Sequence, residues 1–374
     1  MIRRIGAQLV LPAAALVLAL ITGAVFIVLS SPLVEGHLDV ALPLDAYGAL
    51  VSGSLLSPNG WIDTLVNATP LILGGLSVGL CFKAGLFNIG AQGQTLIGAL
   101  AAAAAAGALA SQPAPIAIVG SLVAGLLAGM LYGFIPGALK AFTGAHEVVT
   151  TIMLNYVAIY VIAWAITGPL LAPGASFARS ADVGNAKLPD LIGTAGHQLH
   201  AGVVLALITI PIAWWVLNRS TIGFEVRTVG ANPDAARYAG MRPRLLTIGA
   251  LTVGGGLAGL AGTIEILGVA GYMPAAYATN IGFDAITVAL IGRANPIGIL
   301  FGALLLGALR AGAASMQIKA GIPVEMVDIL QGVMLFFLSA DLIVRWVFRL
   351  RRVDGGVDEL ATVSRSYGGQ TSVT

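Results

Sequence analysis

Long apolar stretches separated by short charged clusters organise this chain. Ile5–Val34, Thr64–Phe82, Val148–Ala178, Leu191–Asn218 and Leu245–Ile264 contain no Asp, Glu, Lys or Arg. A hydrocarbon core of about 30 Å takes about 20 apolar residues as a helix, so several windows are long enough to cross a bilayer. The ten-residue alternation of a membrane barrel is absent, which leaves the helix as the backbone form that satisfies its own polar groups in lipid. The pattern predicts an all-α, polytopic membrane helical bundle. Ten spans are expected, at residues 10–31, 64–82, 88–110, 115–138, 148–171, 200–218, 245–267, 280–293, 297–316 and 325–347. The eighth is short, with Asp284 near its start and Arg293-Ala-Asn-Pro closing it, so a half-helix or broken helix is as compatible as a full crossing.

Charge placement orients the bundle. Of the 19 Lys and Arg, all but Arg179, Lys187, Lys319 and the intraspan Arg310 fall inside if the N-terminus is cytoplasmic. The opposite orientation breaks the positive-inside rule. The first outer loop agrees, carrying Glu35, Asp39, Asp45 and Asp63 and no basic residue. Arg3 and Arg4 followed by Leu9–Leu29 are read as an uncleaved anchor, since the apolar run is longer than a signal-peptide core. One transmembrane domain, residues 1–348, is expected, with a cytoplasmic loop at 219–244 and a polar tail at 349–374 that has the composition of a flexible cytoplasmic end.

Composition sharpens the class. The chain is 57% hydrophobic and 10% charged, with mean hydropathy +0.93, whereas soluble domains are about 25% charged. The lone Cys81 excludes an internal disulfide, and His197 and His200 stand without further ligands at metal spacing, so neither metal nor cofactor is expected. A net charge of +2 gives no reason to expect nucleic acid as a partner.

Polar side chains inside the spans are the candidate chemistry. Asn88-Ile-Gly-Ala-Gln92 is echoed by Asn280-Ile-Gly-Phe-Asp284, and in this topology the first copy opens a span from the inside and the second from the outside. Inverted repeats with polar, Gly-interrupted segments point to a transport site near the midplane. Asn88, Gln92, Gln94, Asn155, Glu265, Asn280 and Asp284 are the candidate pathway residues, because groups costing about 2.5–3.5 kcal/mol in hydrocarbon generally face a bundle interior or a watery path. The amides serve equally well as hydrogen bonds between helices. Glu265 reads also as an interfacial group, Asp284 and Arg310 also as a structural pair, and Asp341 with Arg345 as a local i,i+4 pair. The 49 glycines, dense at Gly254–Gly256, Gly259 and Gly262, and the Ala101–Ala106 run read as close helix packing and identify no ligand.

In the 219–244 loop, Asn232 is placed to cap a helix, Pro233 to start it, Asp234 to face its positive end and Gly240 to close it. The result is a two-turn docking helix presenting Ala235, Ala236, Tyr238 and Ala239. No G-x-x-x-x-G-K-[ST] occurs, so any ATP must be used by a partner.

Four segments carry a resemblance: G-L-C-F-K-A-G-L-F-N-I-G-A-Q-G-Q from Gly79, H-E-V-V-T-T-I-M-L-N-Y from His146, G-A-N-P-D-A-A-R-Y-A-G-M from Gly230 and N-I-G-F-D-A-I-T-V-A-L-I-G from Asn280. From about Leu65 to Arg345 the chain resembles the permease subunits of bacterial ABC importers for nucleosides, relatives of the ribose and branched-chain amino-acid permeases. The resemblance implies a second homologous permease, giving a heterodimer, a cytoplasmic ABC ATPase gripping Asn232, Pro233, Asp234, Ala236, Tyr238 and Gly240, and an extracytoplasmic solute-binding lipoprotein. Two positions depart from the family pattern, which leads one to expect Glu at Gln92 and Asn at His146. Gln92 loses the charge and keeps hydrogen bonding, which suits a neutral polar solute. The competing readings are a ribose-like sugar permease and an ion-coupled transporter using Glu265 and Asp284. A membrane enzyme lacks a convergent nucleophile, base or metal set.

Overall fold

A computed structural model describes residues 2–194, 196–277, 279–340, 344, 347 and 348. The expected Asp341–Arg345 pair and the tail at 349–374 lie outside the described residues.

Thirteen α-helices are described. Seven stretches, Pro12–Pro32 within α1 (Ile2–Glu35), α3 (Pro58–Lys83), α5 (Ala114–Thr143), α6 (Glu147–Thr167), α7 (Gly202–Arg219), α10 (Pro243–Glu265) with its extension to Ala270, and α12 (Pro296–Ala320), are long and apolar enough to cross a membrane. The other three expected spans are not among these seven. Helix α4 (Ala91–Ala108) has 18 residues, and α13 is described over the 15 residues Glu325–Ser339. Helix α11 (Ile281–Ile291) has 11 residues; at 1.5 Å per residue it rises about 16 Å, half of a bilayer core. The half-helix alternative is the one this length favours.

Local segments differ from expectation in three places. Leu42–Ser54, read as loop, is helix α2, with Pro43 in its first turn. Thr221–Ala231 is helix α8, capped by the Ser220 hydroxyl, which accepts from Gly223 N–H. Asp190–Thr194 (β1) and His197–His200 (β2) form a hairpin, a small β element in an otherwise helical chain. All three are short, and short elements leave little periodicity to read.

The chain divides into two compact units. One comprises residues up to Ala68, 192–199 and the segment from Phe301. In it Tyr47 on α2 donates to Leu20 C=O at 2.7 Å, and a Cβ at Gly312 would lie 2.3 Å from Leu50 C=O, so α12 and α2 touch backbone to backbone. Asp63 holds His197 at 2.8 Å.

The second unit comprises residues 69–191 and 200–300, and its centre is the α4–α5–α10 triple. On α5, Gly125, Gly129 and Gly133 recur at i+4 and form a bare stripe; on α10, Gly255 and Gly259 form its counterpart. A Cβ at Gly129 would sit 2.3 Å from Gly255 C=O, and one at Gly98 on α4 2.3 Å from Gly259 Cα. The glycine density thus serves helix contact, as the sequence suggests. Ala102, Ala103 and Ala106 of the alanine run are buried. Helix α10 continues as one π-helical turn, Ile266–Ala270, and stops at Gly271 with φ +74°.

Candidate solute cavity and docking helix

Helix α3 ends at Lys83, and Gly85, at φ +72°, turns the chain into the irregular segment before α4. That segment and the first turn of α4 carry Asn88, Gln92 and Gln94. Asn88 and Gln94 form a reciprocal amide pair: Asn88 Nδ2 donates to Gln94 Oε1 at 2.9 Å and Gln94 Nε2 donates to Asn88 Oδ1 at 3.3 Å. Both are buried, and the pair is local: it ties the segment before α4 to the first turn of the same helix. From α6, Asn155 brackets the same turn, accepting from Gly93 N–H at 2.8 Å and donating to Ile89 C=O at 3.1 Å.

The two copies of the internal echo meet. A Cβ at Gly282 would lie 2.2 Å from Gln92 Cα, so the first turns of α4 and α11 abut backbone to backbone. Gln92 bridges them, its Oε1 accepting from Gly282 N–H at 2.9 Å and its Nε2 donating to Thr279 C=O. The leading N–H groups of a helix have no intrahelical partner and attract anions. Here carboxamide oxygens answer Gly93 and Gly282, so two positive helix ends are met without a negative charge from Gln92 or Asn155.

Beside this junction lies a cavity of about 300 Å³, lined by Gln92, Leu96, Ile152, Asn155, Tyr156, Ile159, Tyr277, Thr279, Asn280 and Phe283. Its size sits at the lower end of small-molecule sites. Three sequence candidates, Gln92, Asn155 and Asn280, line it. Asn88 and Gln94 are tied to one another behind it. Glu265, half-buried at the end of α10, and Asp284, buried in the first turn of α11, are outside the lining. The described lining contains no ionisable carboxylate or base. Tyr156, Tyr277 and Phe283 supply aromatic walls that sequence reasoning missed. Tyr156 follows Asn155 directly and Phe283 occupies the variable place of the second N-I-G motif, so the motifs themselves were the available signal. The Tyr277 hydroxyl is buried without a hydrogen-bond partner among the described residues.

The docking helix forms as its caps dictate. In α9 (Pro233–Tyr238), Asn232 Oδ1 accepts from Asp234 and Ala235 N–H, both at 3.0 Å. Gly240, at φ +82°, closes it: Met241 N–H bonds Ala236 C=O and Gly240 N–H bonds Arg237 C=O, a Schellman arrangement that favours glycine at this position. Tyr238 is 95% exposed, whereas Ala236 is fully buried. Ala236 therefore seats the helix and does not present itself to a partner. Upstream, a Cβ at Gly230 would lie 2.2 Å from Lys83 C=O and one at Gly85 2.9 Å from Gly230 C=O. The end of α8 thus presses on the turn that leads into the amide cluster. On the same side of the sequence map, Lys140 pairs with buried Glu147 at 2.8 Å.

His200, at the end of β2, is 1% exposed, and its ring lies where a Cβ on Gly268 would sit 2.7 Å away. Burial lowers its pKa below the usual imidazole range, partly offset by Asp190.

Residues 60–339 match the family described as branched-chain amino acid transport system / permease component. The chain is 36% identical over 349 residues to the guanosine ABC transporter permease protein NupP of Bacillus subtilis, covering 93% of this chain and 97% of that one. It is 36% identical to the glucose ABC transporter permease protein TsgB13 of Haloferax volcanii, over 84% of this chain and 86% of that one. The nucleoside ABC transporter permease protein NupB of Lactococcus lactis is 33% identical over 81% of this chain and 85% of its own. No solved structure matches. The four motifs, the multi-pass helical bundle and this match place the chain in that family of membrane permeases, components of transport systems that also contain an ATPase and a solute-binding protein.

Proposed function

We propose that the chain is the permease subunit of an ABC importer that carries a nucleoside or related neutral riboside across a bacterial inner membrane. Both termini face the cytoplasm, as the placement of Lys and Arg supports. A second homologous permease completes the path, a lipoprotein delivers the solute, and a cytoplasmic ATPase docks on Asn232, Pro233, Asp234, Tyr238 and Gly240. The observation that carries this reading is the cavity: aromatic walls, amides and no charge, at the meeting point of two helix starts. Flat aromatic side chains suit a nucleobase, and uncharged polar groups suit a ribose.

Alternating access follows from the contacts along α8. Movement of α9 under the ATPase is passed through the Gly230–Gly85 contact to the segment before α4, and so to one wall of the cavity. A neutral solute needs no coupling ion, and the lining carboxylates that an ion-coupled transporter would use are not among the described cavity residues. A sugar permease is the second reading, favoured by the identity to the glucose permease of Haloferax volcanii.

Uptake of labelled guanosine and glucose by cells expressing the chain with its neighbouring transport genes separates the two. Guanosine uptake competed by nucleosides and not by glucose is expected; glucose uptake alone overturns the nucleoside reading. Asp234→Lys with Tyr238→Asp is expected to abolish uptake while the protein remains in the membrane, and normal uptake refutes the docking role.

A further inference from the structure

Gln92 stands at the cavity edge, yet both ends of its carboxamide are already engaged by the protein. Its oxygen accepts from Gly282 N–H, one of the first-turn donors of α11 that have no intrahelical partner, at 2.9 Å. Its nitrogen donates to Thr279 C=O, on the irregular backbone just before that helix. One side chain thus grips both sides of the point where α11 begins. The grip is reinforced by close approach, since Gly282 has no room for a Cβ against Gln92 Cα. The task needs a donor and an acceptor at one tip, which a carboxamide has and a carboxylate lacks.

We infer that Gln92 is a positioning residue: it pins the start of α11 to the start of α4 and so fixes the cavity wall formed by Thr279, Asn280 and Phe283. Solute contact falls to that wall and to the aromatic residues. The consequence for transport rests on the cavity reading proposed above; the pin itself does not. Removing the tip with Gln92→Ala breaks both bonds. Gln92→Glu keeps the acceptor and donates to Thr279 only when protonated. Its pin is therefore complete at low pH and loses its Thr279 half as pH rises through the carboxyl pKa.

The single native cysteine, Cys81, is fully buried, which gives a low background for thiol labelling. Ile281, the first residue of α11, is 2% exposed and sits beside the pin. Full-length chain carrying Ile281→Cys, in membranes of expressing cells, is treated with a permeant maleimide, and rates are normalised to a free thiol at the same pH. With Gln92 present, slow labelling is expected. Gln92→Ala is expected to raise the rate about tenfold or more, the size of one lost buried hydrogen bond. Gln92→Glu is expected to match the Gln92 protein at low pH and to label faster at high pH, short of the Gln92→Ala rate because the carboxylate still accepts from Gly282 N–H. Equal rates for all three, or a pH-independent rate ratio for Gln92→Glu, overturn the inference. If Ile281→Cys alone labels fast, Ala285→Cys, fully buried one turn along, takes its place. Guanosine uptake is measured in parallel. Labelling that follows the expected pattern with unchanged uptake supports the pin and refutes the cavity as the route.

Discussion

The α5–α10 seam and the α4–α11 junction solve the same problem, close approach of two helices, by opposite means. At the seam, side chains are deleted: Gly129 faces Gly255 and Gly259 with no room for a methyl group. At the junction, glycine is used once, at Gly282, and the rest of the contact is carried by the Gln92 carboxamide, which answers Gly282 N–H and Thr279 C=O, while Asn155 of α6 braces the α4 side at 2.8–3.1 Å. The seam is specified by shape and is indifferent to chemistry. The junction is specified by chemistry, since a donor and an acceptor are needed at stated points, and such contacts are remade more readily than a ridge of interlocked backbone. A transporter needs both, one body that holds and one joint that yields.

The sharpest way to break this contrast is at the seam. Gly129→Val is expected to prevent folding, because overpacking costs about 1–3 kcal/mol even where neighbours can move and here the neighbour is backbone; loss of the monodisperse peak of detergent-solubilised protein measures it. Gly129→Ser is expected to be at least as damaging as Gly129→Ala, since its hydroxyl adds volume and shape alone decides. Next is Asn155→Leu, which keeps the volume and removes the chemistry. It strands Gly93 N–H and Ile89 C=O, each at about 1–3 kcal/mol, so a lowered thermal midpoint and loss of uptake are expected, and an unchanged midpoint counts against the junction as described. Gly230→Ala joins the two modes, placing a methyl group against Lys83 C=O beside the joint. ATP hydrolysis that continues while uptake falls is the expected sign of lost coupling. Asn232→Ala removes the α9 cap, worth about 1 kcal/mol, and should lower uptake several-fold without changing protein level. The smallest effect concerns His200. Its folded pKa lies below the unfolded value near 6.5, so the stability gained by burying neutral imidazole is present above that value and lost as pH falls further. A midpoint that drops between pH 7.5 and 5.5, and drops less in His200→Phe, checks it.

What the sequence disclosed divides along the same line. The membrane class was readable because charge-free windows report directly on lipid. Helix α9 was readable because its signals are local: the Asn232 side chain bonds the backbone of Asp234 and Ala235, and the turn at Gly240 bonds back to Arg237 and Ala236. The amide cluster was also visible, as polarity in an oily region. Its meaning was not, because Gln92 looks the same on paper whether it binds a solute or Gly282 and Thr279. Deciding that takes the meeting of residues 190 positions apart. The aromatic lining was harder to see: Tyr156 and Phe283 lie in apolar spans where an aromatic residue stands out only by its place beside Asn155 or inside the second N-I-G motif. Helix α8 was lost because the loop was read for its caps at Asn232 and not for the earlier Ser220.

The absence of charged side chains from the described cavity lining has an electrical consequence. A half-length helix, α11, that starts where α4 starts leaves the insulating layer thin there, and the transmembrane voltage drops steeply across a thin insulator. A cargo without charge, moving past walls without charge, exchanges no work with that voltage. Each turnover is then electrically silent, and all of the driving force has to arrive mechanically, from the cytoplasmic side.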